Sequence, residues 1–160
     1  MPLPRLAARP ALLAGLLCAA APAQAATLAV LPVKLLDTSD EAADQRAAHE
    51  RRQALVAEAL VRDMVGRAYD RAVAVPPAAL AAACPRETTD CLLAAARDAG
   101  GDAVLLIVVH KSSTLILQAF ASLVDARTGA LVVSRNLSFR GDTDESWLRM
   151  ADFLADTLGR

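Results

Sequence analysis

The sequence predicts a single α/β domain, a sandwich built on a mixed sheet, with elements in the order β-α-β-α-α-β-β-β-α. Three observations predict it. Apolar, strand-like runs at 27–36 and 103–109 are separated by segments with helical periodicity. Residues 114–140 alternate apolar and polar side chains about a turn, as a β-hairpin does. An amphipathic stretch follows that hairpin directly, so the domain ends in a helix. Helices between the early strands imply parallel pairing through right-handed crossovers, and the last three strands are expected to be antiparallel.

A leader precedes the domain. Arg5 and Arg9 form a small basic start, and residues 11–21 are an apolar run too short to cross a bilayer as a helix. Ala23-Gln24-Ala25 then supplies the small-x-small pattern of a signal-peptidase site. Residues 1–25 are therefore expected to be a cleaved signal peptide and residues 26–160 the mature domain, in the periplasm. Lipidation at Cys18 is disfavoured, because Leu16 and Leu17 stand where a small residue is wanted. The mature domain keeps 15 basic and 18 acidic residues, a net charge of −3, which argues against nucleic acid as a partner. No later apolar stretch approaches the ~20 residues of a membrane helix, so stable insertion is not expected after cleavage.

Each element has its own signal. Thr27 to Leu36 reads as a strand whose later half bends away or lies at an edge, since Pro32 has no N–H to give a ladder. From about Asp44 to Arg67, Val56, Leu60 and Met64 recur every four residues, with Ala59 on the same face. Arg46, Glu50, Arg51, Arg52, Glu58, Arg62 and Asp63 are placed on the wet face, and His49 among them is expected to be solvated. Tyr69 is expected to pack. Ala72–Val75 is a short strand ended by Pro76-Pro77, and Ala78–Ala83 a short helix. Thr88 or Thr89 caps the next helix, which stops at Gly100-Gly101. Ala103–Val109 is the buried central strand.

Thr114–Val124 and Ala130–Arg140 form the hairpin about Asp125–Gly129, with Leu115, Leu117, Ala119, Ala121 and Leu123 on one face. Asp142 and Glu145 have capping-box spacing at the start of the last helix, which sets Trp147, Met150, Ala151, Leu154 and Leu158 on one side.

Cys84 and Cys91 are the two cysteines of the mature chain. In an oxidising compartment an even pair reads as a disulfide, here closing a short loop. Six intervening residues do not suit a redox motif, which usually holds two. Neither His49 nor His110 stands at ligand spacing from the cysteines, so no metal site is expected.

The sequence contains no G-x-S-x-G, phosphate-loop or H-E-x-x-H motif, and no catalytic residue or cofactor is assigned. His110-Lys111-Ser112-Ser113 ends the central strand, where α/β sheets often bind ligands. Lys111 and Ser112 are adjacent, so on an extended chain they point to opposite faces, which argues against a serine–lysine pair. Asp37 ends the first strand and joins Lys111 and Ser112 as a possible ligand-binding end. Arg140, Asp142, Thr143, Asp144, Glu145 and Trp147 form the densest polar stretch and a possible interaction surface. Its simpler reading is a helix start, with acids complementing the helix dipole and Trp147 as a core anchor. A calcium loop would need more oxygen ligands over about 12 residues.

Leu28-Ala-Val-Leu-Pro-Val33 and the turn Asp125–Gly129 resemble segments of the amino-terminal domain of the Tol-system translocation protein and of the curli-secretion lipoprotein. Residues 111–117, 125–129 and 140–148, with the Cys84/Cys91 segment, resemble a family of uncharacterised exported bacterial proteins, a domain of unknown function. The resemblance implies an α/β envelope-type fold and supplies no catalytic residue. The expected function is a non-enzymatic periplasmic accessory module that binds another envelope protein, with the edge 130–140 available to accept a strand. The alternative is a small-ligand-binding protein using the strand ends near Asp37 and Lys111. A cavity of roughly 300 Å³ or more at those ends would favour a ligand, and a flat apolar patch beside the last strand would favour a partner.

Overall fold

The computed structural model describes residues 26–159. The expected signal peptide, Cys18 included, lies outside them. The chain runs β1 (Thr27–Val30), β2 (Lys34–Asp37), α1 (Arg46–Met64), β3 (Arg71–Ala74), α2 (Pro77–Ala83), α3 (Thr89–Asp98), β4 (Ala103–Lys111), β5 (Leu117–Asp125), β6 (Leu131–Phe139) and α4 (Asp144–Leu158). The mixed α/β class and the closing hairpin and helix are as the sequence predicts.

One element divides. The run at 27–36 forms two strands, because Pro32 cannot donate to the ladder. Both halves pair with β4 in parallel: Leu28–Val30 lie opposite Ala103–Leu105, and Lys34–Asp37 opposite Val108–Lys111. Leu31 N–H still reaches the Leu105 carbonyl at 3.1 Å, and the break leaves only Leu106 and Ile107 unpaired on the β4 side between the two strands. β1 also pairs in parallel with β3, and β4, β5 and β6 are antiparallel, giving the order β3-β1-β4-β5-β6 with β2 beside the far half of β4. β5 begins at Leu117 rather than Thr114, and Leu115 is exposed in the turn instead of facing the core. Ser113 Oγ accepts from the N–H groups of Leu115 and Ile116, which commits that segment to a turn.

The sheet has helices on both faces. α1 and α4 cover one face, where Leu28, Leu60, Leu105, Ile107, Leu117, Trp147 and Leu154 form the larger core. Odd-numbered residues of β4 and β5 point into it, following the two-residue period. α2 and α3 cover β1 and the first half of β4 on the other face, over Ala29, Leu31, Leu80, Ala96 and Val104. They leave β6 and most of the outer face of β5 open. A disulfide joins Cys84 and Cys91, whose Cα atoms are 5.7 Å apart, and ties the end of α2 to the first turn of α3. Closing a loop of that length stabilises by about 2.5 kcal/mol on chain-entropy grounds. Gly129 has φ +72° at the β5–β6 turn, where the Asp125 carboxylate accepts from the N–H groups of Arg127 and Thr128.

Two tight places generate predictions. A Cβ on Gly101 would stand 2.6 Å from Ala29 Cβ and 3.0 Å from the Ala96 carbonyl oxygen, so α3 meets β1 there backbone to side chain. Gly101→Ala is expected to destabilise by about 1–3 kcal/mol in denaturant unfolding. Trp147 is fully buried, with Phe139 edge-on at 6.1 Å between ring centroids. Trp147→Ala is expected to destabilise by about 3–5 kcal/mol, and an unchanged melting curve would contradict its core role.

Candidate functional site

β4 carries an unusual charge at its end. By the alternation of the strand, Lys111 faces the same core as Val109 and Ile107, and its side chain has no solvent exposure. Bare, that burial would be untenable. Four oxygens surround the ammonium instead. Lys111 Nζ donates to Glu41 Oε2 at 2.9 Å and Gln45 Oε1 at 3.1 Å, and stands 3.3 Å from Asp142 Oδ2 and 3.4 Å from Asp37 Oδ2. Glu41 is itself held by the amide of Gln45.

Asp142 is the anionic centre, with its side chain only 2% exposed. His49 Nε2 donates to its Oδ2 at 2.8 Å, while Arg52 Nη1 at 2.8 Å and Trp147 Nε1 at 2.9 Å donate to its Oδ1. Arg52 also donates to Asp144, which pairs with Arg51 at the surface. The network thus joins β2, the 38–45 loop, α1, β4 and the start of α4.

Three expectations are corrected here. His49 is buried and stacked near Trp147, with ring centroids 6.4 Å apart, rather than solvated. Arg52 is largely enclosed rather than on the wet face. The helix cap is not Asp142: Thr143 occupies it, its Oγ1 accepting from Ser146 N–H at 3.3 Å, and Asp142 turns inward one residue earlier. A signal for the first two was present. Counting back from Val56 by four and seven residues gives Arg52 and His49, so the buried stripe of α1 extends to its first turn.

The remaining predicted residues are spread out. Ser112 is exposed in the β4–β5 turn, where its Oγ donates to the Ile116 carbonyl at 3.2 Å, and it faces away from Lys111. Arg140 is exposed, and Glu145 pairs with Arg149 on the surface of α4. Asp37 is partly exposed and accepts from Ser39 N–H at 3.0 Å and Ser39 Oγ–H at 2.6 Å. Tyr69 is half-buried against the larger core. Beside the cluster, a cavity of about 450 Å³ is lined by Asp37, Asp40, Glu41, Asp44, Arg46 and His49 among others. Lys111 does not line it.

The electrostatics follow from this enclosure. Burial opposes the charge on Asp142, but the hydrogen bonds from His49 and Trp147 and the charge of Arg52 outweigh it and hold its pKa below the ordinary carboxylate value. Burial likewise opposes the Lys111 ammonium, and its bonds with Glu41 and Asp142, with the charge of Asp37, raise its pKa above the ordinary lysine value. The hydrogen bond from Lys111 lowers the pKa of Glu41. The groups that could exchange protons are therefore committed to one another.

Removing one member of a buried pair strands the other. Asp142→Asn is expected to destabilise by about 3–5 kcal/mol in chemical denaturation, because Lys111 and Arg52 lose their shared anion. The pH dependence has two limbs. Asp142 and Glu41, depressed in the fold, contribute stability above the unfolded carboxylate pKa of about 4 that is lost as pH falls through their folded values. Lys111, raised in the fold, contributes stability below the unfolded value of about 10.4 that is lost as pH rises through its folded value. Thermal melts should show a plateau between, and Lys111→Met should remove the alkaline loss that belongs to this group.

Several solved structures are similar to this chain. PelC from Paraburkholderia phytofirmans is 17% identical, with 84% of this chain and 86% of that chain covered and a TM-score of 0.48. The LpoB C-terminal domain from Salmonella enterica is 14% identical, covering 71% and 82%, with a TM-score of 0.43. TolB from Acinetobacter baumannii is 18% identical, covering 87% of this chain and 30% of that chain, with a TM-score of 0.46. A comparison with curated proteins gives no match. Residues 26–158 match the family model DUF3280, described as a protein of unknown function (DUF2380), and the chain belongs to that family.

Proposed function

We propose that this chain is a non-enzymatic accessory module of the bacterial envelope that binds another protein through the β6 side of its sheet. The observation that carries the reading is the unpaired edge of β6. This nine-residue strand pairs with β5 alone, and no strand among the described residues occupies the other side. Leu131 and Val132 are each 61% exposed on it, and Phe120 and Val108 lie exposed on the adjoining open face. A long free edge with apolar neighbours is a ready template for an added strand. The charged cluster supports the same reading, since its acids and bases neutralise one another inside the fold. Export by a cleaved leader of residues 1–25 belongs to the proposal. The disulfide suits an oxidising compartment, and the family match begins at residue 26.

A second reading rests on the cavity of about 450 Å³ beside Asp37, which is large enough for a small molecule. Its carboxylates would select a cationic one. One experiment separates the two. A photo-crosslinking amino acid at Asn136, exposed on β6, is expected to trap one envelope protein in intact cells, while the same group at exposed Arg62 on α1 traps none. Equal trapping at both positions, or none at Asn136 with a small molecule retained in native mass spectrometry, would reject the β6 reading.

A further inference from the structure

The opposite side of the sheet carries an open groove. A groove of about 630 Å³ runs between α1 and the carboxyl ends of β1 and β3. Its floor is made of small apolar groups and rings, Val33, Ala54, Ala57, Val75, Pro76 and Pro77, with Pro32 at one end. Val33 and Val75 are buried, so the floor is continuous with the core, whereas Ala54 is exposed and keeps the groove open. α1 contributes Ala54 and Ala57 to the floor, so no large apolar side chain of the helix fills it.

Its rim is charged and one-sided. Glu50 and Glu58 line the groove, and neither side chain forms an ion pair or hydrogen bond among the described residues, although the charge of Glu50 acts on Arg46 one turn earlier. Lys34, also at the rim, is already neutralised by Glu87. Gln53, between the two glutamates, is tied to the Val33 carbonyl at 2.9 Å and so braces the floor. Eight residues separate the glutamates, about 12 Å along a helix. Roughly four residues of extended chain cover that distance. The end of β3 forms the far wall, and β3 is an edge strand of the sheet, paired with β1 alone.

We infer that this groove binds an extended peptide segment of a partner protein, one that carries aliphatic or prolyl side chains flanked by lysine or arginine. Apolar side chains fill the floor, and the flanking cations meet Glu50 and Glu58, neither of which forms an ion pair among the described residues. The carboxylates exclude an acidic segment by repulsion. This surface lies at the β3 edge and is independent of the β6 reading, so either can fail alone.

A random heptapeptide library displayed on phage, panned against protein expressed from the full chain, tests the inference. The expected outcome is enrichment of peptides with lysine or arginine flanking leucine, valine or proline. Binding of a synthetic consensus peptide, read by fluorescence anisotropy, should weaken roughly tenfold in the double variant Glu50→Gln/Glu58→Gln and weaken with added salt. Ala54→Trp should fill the groove and abolish binding while the melting temperature holds, since Ala54 is exposed. No enrichment, an acidic consensus, or a consensus peptide that binds Ala54→Trp undiminished would overturn the proposal. So would a concentration-dependent dimer of the protein that Ala54→Trp abolishes, which would give the groove to a second copy of this chain.

Discussion

The fold depends on neutralising one buried ammonium. The β-alternation that places Val109 and Ile107 in the core also places Lys111 there, with no solvent at its side chain. An isolated charge in that position would cost more than the domain's whole margin of stability. Four side chains from three segments converge on it as a result: Asp37 from β2, Glu41 and Gln45 from the loop before α1, and Asp142 from the approach to α4. Asp142 needs its own counter-charges and takes them from His49 and Arg52 on α1. A buried network of this kind adds little net stability over an apolar core, yet it tolerates few alternative arrangements. It fixes how α1, α4 and the β2 loop meet the sheet.

Where the charges go decides what the surface can do. Lys111, Arg52 and Asp142 face inward, so the residues that look most like acid–base machinery are occupied in holding helices. The two ends of the sheet are the reverse. At β6 the backbone of an edge strand and several apolar side chains lack covering elements. At β3 a groove of small residues is bordered by two carboxylates that form no ion pair among the described residues. Polar groups left unmatched within a fold are the ones free to discriminate among partners.

The parts of this structure governed by local rules were legible in the sequence. The mixed-sheet α/β class, the helical periodicity of α1, the Asp125–Gly129 turn and the burial of Trp147 all follow from spacing and side-chain type. Pro32 announced the bend, although not that the chain would resume as a second strand on the same neighbour. The parts that were not legible depend on contacts across long separations. His49 and Asp142 are 93 residues apart, and Lys111 and Glu41 are 70 apart. A histidine, an arginine and an aspartate each read as surface residues when taken alone. Only their convergence makes burial tolerable, and charge pairing has no period along the chain. The stripe from Val56 back to His49 was the one local hint, and polar identity masked it.

The cluster and its neighbouring cavity are also coupled. Asp37 and Glu41 line the cavity and hold Lys111, so their carboxylates serve two sites at once. A cation entering the cavity would compete with Lys111 for the charge of the same two carboxylates, while the lysine side chain is fully buried. Occupation by such a ligand therefore opposes the packing of the 38–45 loop. A neutral or protein partner at the β3 or β6 edge meets no such conflict. That asymmetry favours recognition at the edges of this domain over recognition at the strand ends, where its stability is already engaged.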